Sequence, residues 1–156
     1  MDWPQMKHRI AAGVFVERED KILLVRHRKT DAYDFWVAPG GGVEADEDLR
    51  AAARREVFEE CGLHVEPEAV AYIEEFKNPH TRECKIWFSA RWLGGTLNTS
   101  ALEAAREHIV EAAFLSREEF EGKTVFPPML HREYWEDRLT GFAYPKYVGL
   151  REMSFY

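Results

Sequence analysis

The first part of the chain alternates between short apolar runs and charged stretches, a pattern typical of β-strands. Residues 10–16 and 21–26 are apolar and rich in β-branched side chains, and the charged residues 17–20 between them predict a hairpin. A third strand is predicted over residues 34–38, ending at Pro39. For the triple glycine that follows, residues 40–42, we predict no regular element, because glycine's conformational freedom disfavours one.

The middle of the chain predicts one helix followed by further strands. The helix begins near Asp48 and ends at Gly62, a residue type suited to the left-handed conformation that closes helices. Residues 63–76 predict two strands interrupted around Pro67. Residues 84–93 predict another strand, which a pair of glycines terminates.

The segment over residues 101–113 is ambiguous, because Ala and Glu favour a helix while residues 109–115 would also serve as a buried strand. We interpret it as a loop followed by a strand. Ser116 and Glu119 then have the spacing of a capping box and predict a short helix.

Two prolines introduce a longer predicted helix over residues 129–139. Its apolar residues Leu130, Tyr134 and Leu139 are expected to face the core. Strands, a helix, more strands and a helix in this order predict an α/β fold with a mixed β-sheet and helices on both faces.

Composition and charge narrow the class of protein. The 156 residues fit one domain, residues 1–156, and the net charge of −7 argues against binding long nucleic acids, which are gripped by clustered cations. Residues 1–7 contain no apolar run long enough for a signal peptide, and no later segment predicts a membrane span. Cys61 and Cys84 lack the spacing of a zinc site or a disulfide framework. We therefore expect a cytoplasmic protein with reduced cysteines, and a homodimer is left open.

Three carboxylates of the first predicted helix share one face. With Glu56 at zero on a helical projection, Glu60 lies at about +40° and Glu59 at about −60°. The apolar residues of the first turns lie on the same side, so this face is expected to pack. Buried like charges repel and lose hydration unless a proton or a cation compensates. Oxygen ligands alone suit Mg²⁺ or Mn²⁺, and magnesium shares its coordination sphere with substrate phosphates.

The segment from residue 41 to residue 63 resembles the signature of the Nudix hydrolase family without a departure. Its fixed positions are Gly41, Glu47, Arg55, Glu56, Val57, Glu59, Glu60, Gly62 and Leu63. The resemblance implies a Nudix-type α/β/α sandwich, a loop–helix–loop metal site, and hydrolysis of a nucleoside diphosphate linked to another group.

The same resemblance implies a role for each of these acids. Glu56 and Glu60 would be the principal ligands of Mg²⁺, with Mn²⁺ as the alternative, and a backbone carbonyl near Gly41 would add a ligand. Glu59 would complete the cluster or act in catalysis. Arg55 points away from the cluster on the projection, so we assign it to orienting a carboxylate or the loop, pairing with Glu47.

The general base is left open among Glu59, Glu103, Glu107 and Glu111. Arg26 begins a run of cations that is either a solvated strand end or a set of charges near a phosphate, and Arg26 and Glu111 are retained as candidate substrate or loop contacts.

The expected ligand is a small nucleotide-type substrate. Pro79 lies at the distance after the signature where a proline hints at ADP-ribose in this family, although Asn-Pro is also a common turn. An ADP-ribose or sugar-nucleotide substrate is therefore slightly preferred. The alternatives are a nucleotide-binding module without activity, and a pyrophosphohydrolase acting on RNA ends or dinucleoside polyphosphates.

Overall fold

Nine strands form a mixed sheet in the computed structural model, which describes residues 5–153. The strands are β1 (Lys7–Arg18), β2 (Lys21–Lys29), β3 (Tyr33–Val37), β4 (Gly40–Gly42), β5 (Leu63–Lys77), β6 (Thr81–Gly95), β7 (Ile109–Leu115), β8 (Val125–Phe126) and β9 (Lys146–Glu152). The helices are α1 (Leu49–Cys61), α2 (Leu102–Arg106) and α3 (Tyr134–Asp137), with 3₁₀ turns at Glu118–Phe120, Pro128–His131 and Arg138–Thr140. The stretch examined for a signal peptide begins outside the described residues.

The strand order is β8-β3-β2-β1-β6-β5-β9, while β4 pairs with β1 and β7 pairs with β2. Three neighbouring pairs are parallel, namely β1 with β6, β3 with β8 and β5 with β9, and the others are antiparallel. The predicted hairpin of β1 and β2 is confirmed, and so is the α/β fold with a mixed sheet. No helix within residues 5–153 has both the length and the apolar character needed to cross a membrane.

The glycine segment is a strand, which corrects the sequence prediction. Its residues pair antiparallel with β1, with Gly40 opposite Gly13 and Gly41 opposite Ala12. A Cβ on Gly40 would lie 2.3 Å from the carbonyl oxygen of Ala12. Glycine therefore allows the two backbones to approach here, and the sheet contact outweighs its weak preference for regular structure.

Helix α1 has the boundaries that its sequence predicts. Asp48 caps it by accepting a hydrogen bond from the backbone N–H of Ala51 at 2.8 Å, and Gly62 closes it with φ of 76°. The helix packs against β1, β4 and β5. The apolar residues of the packed face are Ala52, Ala53, Val57 and Cys61, all fully buried. This packing holds the acidic residues of the same face against the sheet.

Two neighbouring segments depart from their predictions. Strand β5 is one continuous strand, because the interruption around Pro67 is a register shift that leaves the pairing with β6 intact on both sides. The segment predicted as a loop before β7 contains the five-residue helix α2, whereas β7 itself is confirmed. The Ser116–Glu119 capping box is confirmed by reciprocal hydrogen bonds, although it opens only a 3₁₀ turn.

The helix predicted over residues 129–139 is broken into single turns. The backbone at Arg132 has φ of −137° and ψ of −93°, which is not helical. The indole N–H of Trp135 donates to the carbonyl of Leu130 at 2.7 Å, a group that a continuous helix would bond to the N–H of Tyr134. Leu130 and Tyr134 are buried as predicted, but Leu139 is 78 % exposed, so its core assignment is wrong.

Candidate metal and active site

Three carboxylates converge where α1 faces the corner between α2 and β7. Glu56 and Glu60 lie one turn apart on α1 and are 6 % and 2 % exposed, and Glu107 comes from the corner. One oxygen from each of the three lies within 4.8 Å of the other two. The sequence placed Glu107 only among the candidate bases. Its membership of the cluster depends on a long-range contact that no local spacing reveals.

Glu60 is the most deeply buried of the three acids. Burial raises the pKa of Glu60 well above its usual range, and the nearby charges of Glu107 and Glu56 raise it further. One of its oxygens lies 3.4 Å from the N–H of Gly40, while Oε2 has no hydrogen-bond partner among residues 5–153. A buried acceptor without a donor is costly, and a divalent cation would satisfy it. The carboxylate oxygens gathered here are therefore suitable ligands for a hard metal ion.

Strand β4 forms the second wall of the cluster. A Cβ on Gly41 would lie 2.5 Å from Oε1 of Glu56, so the side chain of Glu56 occupies the space that any other residue would need. The backbone of Gly41 thus lies beside the carboxylate that the sequence assigned to the metal. This is where the signature's first glycine was expected to contribute.

Arg55 reaches the cluster, which corrects the inference that it points away. Its Nη1 donates to Glu56 at 3.0 Å and to Glu59 at 3.1 Å. The expected pairing with Glu47 is present, with Nη2 2.6 Å from Oε1, and Nη2 also donates to the carbonyl of Gly42 at 2.9 Å. The projection gives the direction of the Cα–Cβ bond, whereas a long arginine side chain can fold back along the helix. Arg55 therefore links the loop, β4 and two acids.

Three further acids at or beside the cluster have perturbed pKa values. Burial raises the pKa of Glu59, although Arg55 opposes the shift. Burial, followed by the charge of Glu56, raises the pKa of Glu107 to about 7. The pKa of Glu47 is lowered because its carboxylate is hydrogen-bonded to Arg55. Burial therefore raises the pKa of two acids at the site, whereas the hydrogen bonds from Arg55 lower the pKa of Glu47.

Arg26 and Glu111 lie outside the carboxylate cluster. Arg26 is bound to Asp34 through two hydrogen bonds of 2.7 and 2.8 Å and contacts Glu111 at 3.5 Å. These residues line a separate cavity of about 440 Å³ with Trp36. Because side chains alternate along a strand, Arg26 and its neighbour His27 face opposite sides of β2, and only His27 lines the cavity of Glu60.

Two cavities adjoin the acids. One of about 220 Å³ is lined in part by Glu60, Glu107 and Lys85, and one of about 480 Å³ is lined in part by Glu56 and Glu107. Arg9 lines both. Lys85 is only 3 % exposed, and its Nζ lies 4.4 Å from the centroid of the Trp87 ring. Neither cation was predicted from the sequence, although a lysine inside the apolar run of β6 is an unusual residue in a buried strand.

The mixed sheet, the helix α1 packed against it and the carboxylates of Glu56, Glu60 and Glu107 together form a candidate divalent-cation site. A model of the NUDIX domain matches residues 7–135, and the chain belongs to this family. The resemblance read from the signature is therefore confirmed.

One sequence relative and two solved structures illustrate what this chain is similar to. The human 8-oxo-dGDP phosphatase NUDT18 is 37 % identical over 108 residues, which are 69 % of this chain and 32 % of that protein. The chain therefore spans about a third of the length of this relative. A solved NUDIX hydrolase from Nitrosomonas europaea has a TM-score of 0.72 at 26 % identity, covering 89 % of this chain and 93 % of the other. An ADP-ribose pyrophosphatase from Streptococcus suis shares the fold, with a TM-score of 0.61, 23 % identity and coverage of 89 % and 98 %.

Proposed function

We propose that this chain is a metal-dependent hydrolase that cleaves the diphosphate linkage of a nucleoside diphosphate derivative. The observation that carries the proposal is the convergence of buried Glu56 and Glu60 with exposed Glu107, with Oε2 of Glu60 lacking a hydrogen-bond donor within residues 5–153. The family match supports it, since a NUDIX domain model covers most of the chain.

The three converging acids are proposed to hold Mg²⁺, with Mn²⁺ as the alternative, because hard divalent ions prefer oxygen ligands. The backbone carbonyl of Gly41 is a further candidate ligand, since this residue lies against Glu56. Held by these residues, a divalent ion would neutralise the charge of the diphosphate and lower the pKa of the attacking water.

The surrounding side chains are proposed to position the carboxylates, to activate the attacking water and to bind the phosphates. Arg55 holds the carboxylates of Glu56 and Glu59 in fixed directions through its two Nη1 hydrogen bonds. Glu59 acts as the general base, because its side chain is 25 % exposed and its raised pKa makes it a better proton acceptor. Arg9 and Lys85 line the adjoining cavity and bind phosphate oxygens.

Replacing Arg55 by Lys is expected to lower kcat/KM by about 10- to 100-fold, the usual cost of removing a residue that orients metal ligands. Lysine cannot bond Glu47 and Glu56 at the same time in the planar geometry of a guanidinium. The matched control is Arg54→Lys, since Arg54 is on the same helix but pairs with Glu66 at the surface. Equal rates for the two variants would remove Arg55 from the proposed site.

The proposed substrate is ADP-ribose or a sugar nucleotide, and 8-oxo-dGDP is added because the human relative carries that name. Pro79 lies in the turn between β5 and β6, where Oδ1 of Asn78 accepts from the N–H groups of His80 and Thr81. This turn geometry is a structural reason for a proline at this position, and it does not depend on the substrate. The net charge of −7 disfavours RNA ends.

A substrate panel tests the proposal. Purified protein with Mg²⁺ is incubated with ADP-ribose, UDP-glucose, 8-oxo-dGDP, a dinucleoside polyphosphate and a nucleoside triphosphate, and phosphate is measured with and without a coupling phosphatase. We expect one class to be cleaved far faster than the rest. Binding without any turnover across the panel would instead indicate a nucleotide-binding module. We also propose a cytoplasmic location, which the two free cysteines support.

A further inference from the structure

The corner that carries Glu107 has an unusual backbone. Glu107 is the C-terminal cap of α2, and the next residue, His108, has φ of 59°, in the left-handed region that non-glycine residues seldom adopt. Strand β7 begins directly afterwards at Ile109. A conformation of this kind persists only where surrounding contacts hold it.

Two residues of β2 supply such contacts. The backbone N–H of Arg28 donates to the carbonyl of His108 at 3.0 Å. Nδ1 of His27 lies 3.0 Å from the carbonyl oxygen of Glu107. Because a carbonyl can only accept, the hydrogen of this bond must be on Nδ1. The register of β2 and β7 also shifts at this point, so the corner is held on the strand at a bulge.

The imidazole of His27 is itself held in place. It stacks on the ring of Phe35 with 5.0 Å between centroids and 5° between planes. His27 also lines the cavity that Glu60 and Glu107 line. A ring fixed on one side by an aromatic neighbour and bonded at Nδ1 has little rotational freedom, so it can hold the backbone of Glu107 to a narrow range of positions.

We propose that His27 is a positioning residue that holds the carboxylate of Glu107 beside Glu56 and Glu60, and thereby sets the affinity of the site for a divalent cation. The inference rests on the proposed function, because it assumes that the three acids bind metal. It assigns His27 a role through the backbone of Glu107 and not through contact with a substrate.

The test measures Mn²⁺ binding without substrate, from the electron paramagnetic resonance signal of the free ion. His27→Leu removes the donor, whereas His27→Asn keeps an N–H near the position of Nδ1. We expect the Kd for Mn²⁺ to rise about 10-fold in the leucine variant, at the lower end of what ligand-orienting residues contribute, and to rise less in the asparagine variant.

A second set of variants, made in the Glu107→Gln protein, separates a positioning role of His27 from its other effects. If His27 acts through Glu107, then His27→Leu should cause no further loss of Mn²⁺ affinity in a Glu107→Gln protein. An unchanged Kd in the single His27→Leu variant would overturn the proposal, as would an equal loss in both backgrounds. Thermal melting identifies a variant that is unfolded, in which case His27→Asn and its Glu107→Gln double variant provide the comparison.

The same titration distinguishes failure of this inference from failure of the proposed function. Glu56→Gln should weaken Mn²⁺ binding whatever His27 does, because Glu56 is one of the three acids. If Glu56→Gln leaves the Kd unchanged, the metal site itself is wrong. If Glu56→Gln weakens binding but His27→Leu does not, the site stands and only the role of His27 is rejected.

Discussion

Replacing Glu60 by Gln is expected to reduce turnover by more than about 100-fold, since residues that merely support metal ligands already cost 10- to 100-fold. The substitution keeps the shape of the side chain but removes its charge. Glu60 is 2 % exposed, and burial raises its pKa. The glutamine variant therefore lacks an unfavourable buried acid and should remain folded. Loss of activity with a melting temperature that is not lowered is therefore the expected combination.

The measurement is kcat/KM at saturating Mg²⁺ on the best substrate, together with the Kd for Mn²⁺. Glu118→Gln is a suitable control, because this residue lies in an exposed 3₁₀ turn away from the cluster. If the Glu60→Gln protein cleaves at the rate of the control, Glu60 does not take part in catalysis.

Replacing Gly41 by Ala is expected to lower turnover by about 10- to 100-fold through displacement of Glu56, a proposed metal ligand. The added Cβ would lie 2.5 and 2.6 Å from Oε1 and Cδ of Glu56, closer than atoms can approach. The end of a side chain yields more easily than backbone, so the carboxylate should move and the fold should survive. Gly41 does not have a positive φ, so the effect is steric.

Gly94→Ala is the matched control, because a Cβ at Gly94 meets nothing within 4 Å and this glycine also has no positive φ. We expect the alanine at position 41 to raise the Kd for Mn²⁺ and the alanine at position 94 to leave it unchanged. Similar rates and affinities in the two variants would show that Glu56 need not occupy its observed position.

The part of the site that the sequence predicts is the part encoded by local spacing. Helix α1 has its expected ends at Asp48 and Gly62, because caps depend on neighbouring residues. Glu56 and Glu60 share a face because a helix repeats every 3.6 residues. Within a single helix, periodicity alone is enough to bring acids together.

Long-range contacts account for what the sequence analysis missed. Glu107 joins the cluster only because the corner before β7 packs next to α1, and the glycine strand forms only because β1 lies beside it. Arg55 was misplaced because the reach of its side chain depends on where Glu47 and Gly42 lie in the fold. The helix over residues 129–139 is instead broken by a local contact, because the indole N–H of Trp135 bonds to the carbonyl of Leu130.

Hydrolysis in ¹⁸O-labelled water tests the central claim most directly. The protein is incubated with Mg²⁺ and the best substrate of the panel, and the products are analysed by mass spectrometry. A metal-dependent diphosphate hydrolase should place one ¹⁸O atom on a phosphate of one product for each bond cleaved, and chelation of Mg²⁺ by EDTA should stop the reaction. Product formation that persists in EDTA, or that carries no ¹⁸O, would contradict the account.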